Sequence, residues 1–226
     1  AKTRGSSTEL AARWDAALDR LTTLPRLLGN VGYLSFQTGK WWHGGFQRGG
    51  FTHGMTKGGR HGDEGLTIGR NGLQPIYDFI AKAQEQQRPF LLWYAPFMPH
   101  TPHNPPERLA QKYAKTTTSP YVARYWAMCE WFDETCGELM NYLDKKGLTE
   151  NTLVVYVTDN GWIQHENNPN YRMDSKQSPY DGGLRTPIML RLPGKIAPRM
   201  DDNPVSSLDI APTIYKVCGL PVPNGD

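Results

Sequence analysis

At 226 residues, with 38% hydrophobic and 21% charged side chains, the chain is long enough to bury the core of one domain and too ordinary in composition to be disordered or fibrous. A formal net charge of +3, dispersed and without a Lys/Arg cluster, excludes the electrostatic footprint of a nucleic-acid binder and leaves small anionic substrates open. No run of roughly 18 apolar residues is present to span a membrane, and three cysteines, Cys129, Cys136 and Cys218, are too few and odd for a disulfide framework.

In chain order, Thr8 to Leu28 reads as helix through Leu10, Trp14, Leu18, Leu21 and Leu24, with Pro25 interrupting it. Tyr33 to Gln37 is a short strand, and just past its end stand Lys40 and His43 within Gly39-Lys40-Trp41-Trp42-His43. Twelve of the 23 glycines fall between Gly39 and Gly72, with His43, His53 and His61 scattered among them. That is loop chemistry, where backbone reach matters more than packing, although the stretch reads equally as a surface excursion with a snorkelling lysine. Pro75 to Gln86 makes an amphipathic helix with proline in its first turn. Phe90 to Tyr94 is a buried strand that empties into Ala95 to Pro106, a proline-rich loop whose titratable groups are His100 and His103.

Ser119 to Lys146 is the longest helix, its stripe of Val122, Tyr125, Cys129, Phe132, Cys136, Leu139 and Leu143 widened by Trp126, Trp131 and Met140. Such a face suits packing on a sheet better than a coiled coil, and it makes Cys129 and Cys136 core thiols. Leu153 to Val157 follows as an apolar run without alternation, the pattern of a parallel strand covered on both faces. It ends in Asp159-Asn160-Gly161. A carboxylate beside an amide, just beyond a strand end, offers hard oxygen ligands suited to calcium or magnesium, while the same three residues also read as a plain turn. Ile188 to Leu192 is a further strand and Ser206 to Cys218 the last helix. The fold class is α/β with a mainly parallel central sheet flanked by helices.

Five signals in order carry a resemblance. Gly39-Lys40-Trp41, Pro99-His100, Asp159-Asn160-Gly161, Lys176 ahead of Tyr180-Asp181-Gly182-Gly183-x-Arg185-x-Pro187, and Leu208-Asp209-Ile210-Ala211-Pro212-Thr213 together resemble the sulfatase family of the alkaline-phosphatase-like superfamily. The resemblance runs from about Thr23 to Val222. It implies that residues 1–226 form part of a sulfatase catalytic domain that cleaves sulfate monoesters through a formylglycine held on calcium, with magnesium the lesser fit. Asp159 and Asn160 match the family's second pair of calcium ligands. Lys40 matches the lysine that contacts nucleophile and sulfate, Lys176 the second sulfate-binding lysine, and His100 the histidine that protonates the leaving alcohol. Where the family commonly has Gly-Lys-Trp-His, Trp42 holds the histidine's place and His43 follows it, so His43 is a further candidate.

The family's Cys/Ser-x-Pro/Ala-x-Arg nucleophile motif and first aspartate pair have no match in the chain. The resemblance places both, with the first central strand, upstream of Ala1. The N-terminus also lacks a starting methionine or apolar leader, and the C-terminus breaks off at Pro223-Asn224-Gly225-Asp226. A segment of a longer protein, inactive and prone to associate by itself, is therefore expected. The resemblance further implies a sulfated small molecule or glycan as substrate and a periplasmic or secreted compartment. Two other readings stand beside it. One is a phosphatase or phosphonate-ester hydrolase of the same superfamily, whose two-zinc members carry Asp-His where Asp159-Asn160 stands. The other is a noncatalytic sulfate- or carbohydrate-binding relative, in which Trp41, Trp42 and Trp162 would stack on sugars.

Overall fold

A computed structural model of the protein describes residues 7–221; the termini on which the expectation of a longer protein rests lie outside them. The chain divides into two compact units, Ala1–Met98 and Pro99–Asp226.

The first unit opens with two helices where one interrupted helix is expected. α1 (Ser7–Arg20) stops ahead of the proline and α2 (Leu24–Asn30) restarts with Pro25 in its first turn, the one helical position where a missing N–H costs nothing. β1 (Leu34–Gly39) is buried along its whole length and lies between β2 (His53–Gly54) and β3 (Phe90–Ala95), parallel to both. Register pairs Leu34 with Phe90 and Gly39 with Ala95. α3 (Gln74–Glu85) buries Ile76, Phe79, Ile80 and Ala83, and the Phe79 ring lies 5.0 Å from that of Phe36 on β1. The buried polar residues of β1 are all engaged, as burial demands. Ser35 and Thr52 exchange hydrogen bonds, and the Thr38 hydroxyl donates to Trp93 O. Gln37 donates to Gly39 O and accepts from Thr56 N–H.

In the second unit α4 (Glu107–Ala114) packs along α5 (Pro120–Lys145). The N-cap Ser119 accepts from Val122 N–H, closing the first turn. Lys112 pairs with Glu130 at 2.6 Å and Arg108 with Glu134. Cys129 and Cys136 are half-buried where core thiols are expected; the burial they have pushes the Cys129 thiol up, and that of Cys136 up to about 11. β4 (Val154–Val157) differs from the expectation. It pairs antiparallel with β5 (Ile188–Arg191), Val154 opposite Arg191 and Val157 opposite Ile188, and Val157 is exposed. A four-residue apolar run reads the same in either pairing, because strand direction is decided by the return path of the chain. α6 (Asp181–Leu184) and α7 (Ile210–Val217) complete the unit. Among the described residues no helix is long and apolar enough to cross a membrane.

Candidate functional site

Lys40 is placed by backbone. Its N–H donates to Ala95 O at 2.7 Å, at the point where β1 and β3 end together. Gly39 stands at φ +76 with its α-carbon against the Ala95 carbonyl, so only glycine passes the turn. The Lys40 ammonium then lies 5.5 Å from the centre of the Trp42 ring and 5.4 Å from that of Phe97, within cation–π range. His43 points elsewhere. Its Nδ1 is 3.2 Å from Asp15 Oδ1 on α1, and Asp15 also pairs with Arg48 at 2.5 Å.

The Gly-rich excursion is built onto this turn. Trp41 N–H donates to His61 O, and Gly62 and Gly65 approach Gly39 O so closely that a Cβ on either would lie within 3 Å of it. The excursion is held by Asp63, whose carboxylate accepts backbone N–H groups of Lys57, Gly58, Gly59 and Glu64 at 2.6 to 3.0 Å. Burial disfavours the charge, but the four donors outweigh it and hold Asp63 below the ordinary carboxylate value. A depressed carboxylate stabilises its loop at every pH above the unfolded value and loses that contribution as pH falls through the folded one. The amide shifts of Gly58 and Gly59 are therefore expected to stay constant above about pH 5 and to titrate only below about pH 4. Asp63→Asn should flatten that dependence; a midpoint above the ordinary carboxylate value would overturn the assignment.

In the second unit three glycines lock the Asp159 turn to the segment carrying Lys176. A Cβ on Gly161 would meet Gly182 O at 2.0 Å, and one on Gly183 would meet Ser175 O at 2.2 Å. Gly161 N–H donates to Gly183 O at 2.9 Å. The two-glycine spacing at 182–183 is thus a packing requirement, and Asp159-Asn160-Gly161 is a turn whose shape the Lys176 segment fixes. Asp159 Oδ1 accepts the Asn160 N–H at 3.0 Å. The Asn160 amide donates to Gly161 O at 2.9 Å, which leaves its carbonyl oxygen as the acceptor atom of that side chain. These are two hard oxygens of the kind calcium takes, against the six to eight it needs. The pair fits a calcium site in kind and falls short of one in number. Among the described residues no group of three or more His, Cys, Asp or Glu forms a metal cluster.

Trp162 ties the remaining pieces together. The Lys176 ammonium lies 5.6 Å from its ring centre, and the rings of Tyr171, Tyr125 and His103 lie 5.0, 6.0 and 6.1 Å away. His103 thereby anchors the proline-rich loop that carries His100. In that loop the His100 Nδ1 sits 2.8 Å from Thr101 O, which assigns the proton to Nδ1 and makes Nε2 the nitrogen that gains or gives a proton. From the sequence Trp162 is a candidate sugar stacker; its work as a packing hub has no signal in spacing, because its four partners come from three separate stretches.

The fold is α/β, with Lys40 just past β1, His100 in the loop after β3 and Asp159-Asn160 just past β4, the positions at which such folds carry their functional residues. The sequence model of the family described as Sulfatase matches residues 3–220, and the chain belongs to the sulfatase family. Arylsulfatase A of Homo sapiens is 32% identical over 152 residues, covering 66% of this chain and 29% of that protein. Endo-4-O-sulfatase of Bacteroides thetaiotaomicron is 36% identical over 99 residues, covering 44% and 19%. The crystal structure of Ps i-CgsB in complex with k-i-k-neocarrahexaose superposes with a TM-score of 0.69 at 21% identity, covering 88% of this chain and 53% of that one, a likeness of fold. The chain thus spans about half or less of the length of these relatives.

Proposed function

We propose that this chain is part of the catalytic domain of a sulfatase that hydrolyses an O-sulfate ester on a carbohydrate. The observation that carries the reading is the interlock of Gly161 with Gly182 and Gly183, which holds two hard-oxygen ligands against the segment bearing a lysine. That combination serves a tetrahedral anion, whose charge needs a cation and positioned donors as the leaving oxygen departs. In this reading Asp159 and Asn160 hold calcium together with ligands from outside the pair. The metal supplies charge neutralisation at the nucleophile and the sulfuryl oxygens.

By the resemblance Lys40 and Lys176 each take a sulfate-binding role, an ammonium ion being a compact charge that tolerates any orientation of the oxyanion. The ring of His100, held through Nδ1–H on Thr101 O, presents Nε2–H in its protonated form. As the ester S–O bond breaks, that proton passes to the departing alkoxide. The nucleophile in this reading is the formylglycine that the resemblance implies, for none of Cys129, Cys136 and Cys218 stands in a Cys-x-Pro/Ala-x-Arg motif. The carbohydrate is suggested by the neocarrahexaose bound to Ps i-CgsB, a neighbour in fold.

The full-length gene product is expected to hydrolyse 4-nitrophenyl sulfate and sulfated oligosaccharides, and to leave phosphate monoesters essentially untouched. Faster turnover of the phosphate ester would favour the phosphatase reading, and no turnover of either the binding-protein reading. His100→Ala should slow the sugar sulfate roughly tenfold more than the activated aryl sulfate, because the poorer leaving group depends more on the proton. Equal losses on both would remove His100 from the acid role.

A further inference from the structure

We infer that His61, and not His43, is the histidine that works beside Lys40, as a second donor to the anionic group of the substrate. The inference rests on the sulfatase reading for the identity of that anion. Its structural basis lies wholly within the first unit. The two aromatic rings that the Lys40 ammonium approaches, Trp42 and Phe97, are also the rings that flank His61, at 5.7 and 6.4 Å between centroids. One cationic side chain and one imidazole therefore share the same pair of aromatic walls. Trp42 is exposed and Lys40 and His61 are half-buried, so the two donors are steadied by the rings and remain within reach of an oxyanion from solvent.

His43 has a different neighbourhood. Its Nδ1 faces the Asp15 carboxylate, and a ring that serves an anionic carboxylate is poorly placed to greet an anionic substrate at the same nitrogen.

The backbone supports the assignment independently. His61, Gly62 and Asp63 are three consecutive residues at positive φ, 61°, 117° and 37°. Histidine and aspartate adopt that region only at a cost of about 1 to 2 kcal/mol each, and such outliers gather where function demands a particular side-chain direction. Here the surroundings over-determine it. Trp41 N–H binds His61 O, the Thr56 hydroxyl binds Gly62 O, and Asp63 collects four backbone donors. A glycine at 61 would make this turn without strain; the chain carries histidine.

That observation also supplies a test in which misfolding does not interfere. His61→Gly removes the imidazole and relieves the backbone, so its melting temperature should equal or exceed that of wild type. His61→Asn keeps a hydrogen-bond donor on a residue that tolerates the same backbone. In the full-length protein, inorganic sulfate is the probe, with its binding followed through the side-chain nitrogen signals of histidine. The His61 signals should shift on titration with sulfate. Affinity should fall roughly tenfold or more in His61→Gly, in proportion to a lost charge-assisted hydrogen bond. Part of the loss should return in His61→Asn, and added imidazole should restore part of the turnover of His61→Gly. His43→Gln should lose less than His61→Gly on both measures.

A ring that only spaces Trp42 from Phe97 would give neither the sulfate-dependent shift nor rescue by imidazole. Silent His61 signals together with wild-type turnover in His61→Gly overturn the inference and leave the sulfatase reading standing. Sulfate bound at His61 in a protein that hydrolyses no sulfate ester overturns the sulfatase reading and leaves the anion site standing.

Discussion

Gly39→Ala is expected to lower folding stability by about 3 kcal/mol or more, the sum of a left-handed backbone and a clash in a packed site. For a chain of this size that is a fall of roughly 10 °C in melting temperature. The added methyl would stand 1.8 Å from Ala95 O and 2.2 Å from its carbonyl carbon, with Pro96 N at 2.9 Å. All three obstacles are backbone, so no side chain can swing aside. The carbonyl cannot retreat either, since Ala95 sits opposite Gly39 in the parallel ladder and accepts the Lys40 N–H. Relief of the clash must break the bond that sets Lys40, so binding of inorganic sulfate should weaken together with stability. Gly72→Ala makes the control. Gly72 has φ +86 and open space where a Cβ would go, so it should cost only the left-handed backbone, about 1 to 2 kcal/mol. Equal melting temperatures for the two variants would show that the Gly39 turn relaxes and that its closeness to β3 matters little.

Asp159→Ala is expected to lower turnover of sulfate esters by on the order of a thousandfold or more in the full-length protein, since the metal and its ligands carry the largest electrostatic term. Its effect on stability should stay within about 1 kcal/mol, the range of an exposed position with one local hydrogen bond. Asp159 is exposed and its carboxylate binds only the next residue's N–H among the hydrogen bonds described here. The turn is held in place by Gly161, Gly182 and Gly183 instead. Calcium affinity, measured by calorimetry on the intact protein, should fall in parallel. Wild-type calcium affinity in the variant would remove Asp159 from the metal, whatever happens to turnover. A large loss of melting temperature would mean that the residue is structural.

Much of this was legible in the chain. Helical stripes of apolar residues located α3 and α5 within a residue or so, because the 3.6-residue period and a terminal signal such as Pro75 are local properties. The candidate residues were found by their order along the chain: Lys40 past the end of β1, His100 in the loop after β3, and Asp159-Asn160 past β4. A position just beyond a strand end is itself a local inference, and the family match agrees with the resemblance built on those motifs.

Spatial selection among similar residues was not legible. His43 and His61 both lie in one glycine-rich stretch, and the nearer to Lys40 in sequence is the better candidate until α1 brings Asp15 to His43 and the turn at Gly62 brings His61 to Trp42 and Phe97. The break between α1 and α2, by contrast, had its signal in Pro25, whose place in a first turn was open to a local reading.

The sequence by itself determined the secondary structure that a local period can encode, and which side-chain chemistries are available and in what order: lysine, histidine, a carboxylate with an amide, and a second lysine. Only the tertiary structure decided the direction of β4 against β5, the three-glycine interlock that shapes the Asp159 turn, and the aromatic walls around Lys40 and Lys176. The reason is physical. Each of those features is a contact between stretches far apart in the chain, and whether a glycine is needed or a ring is shared depends on what the returning chain places within a few ångströms of it.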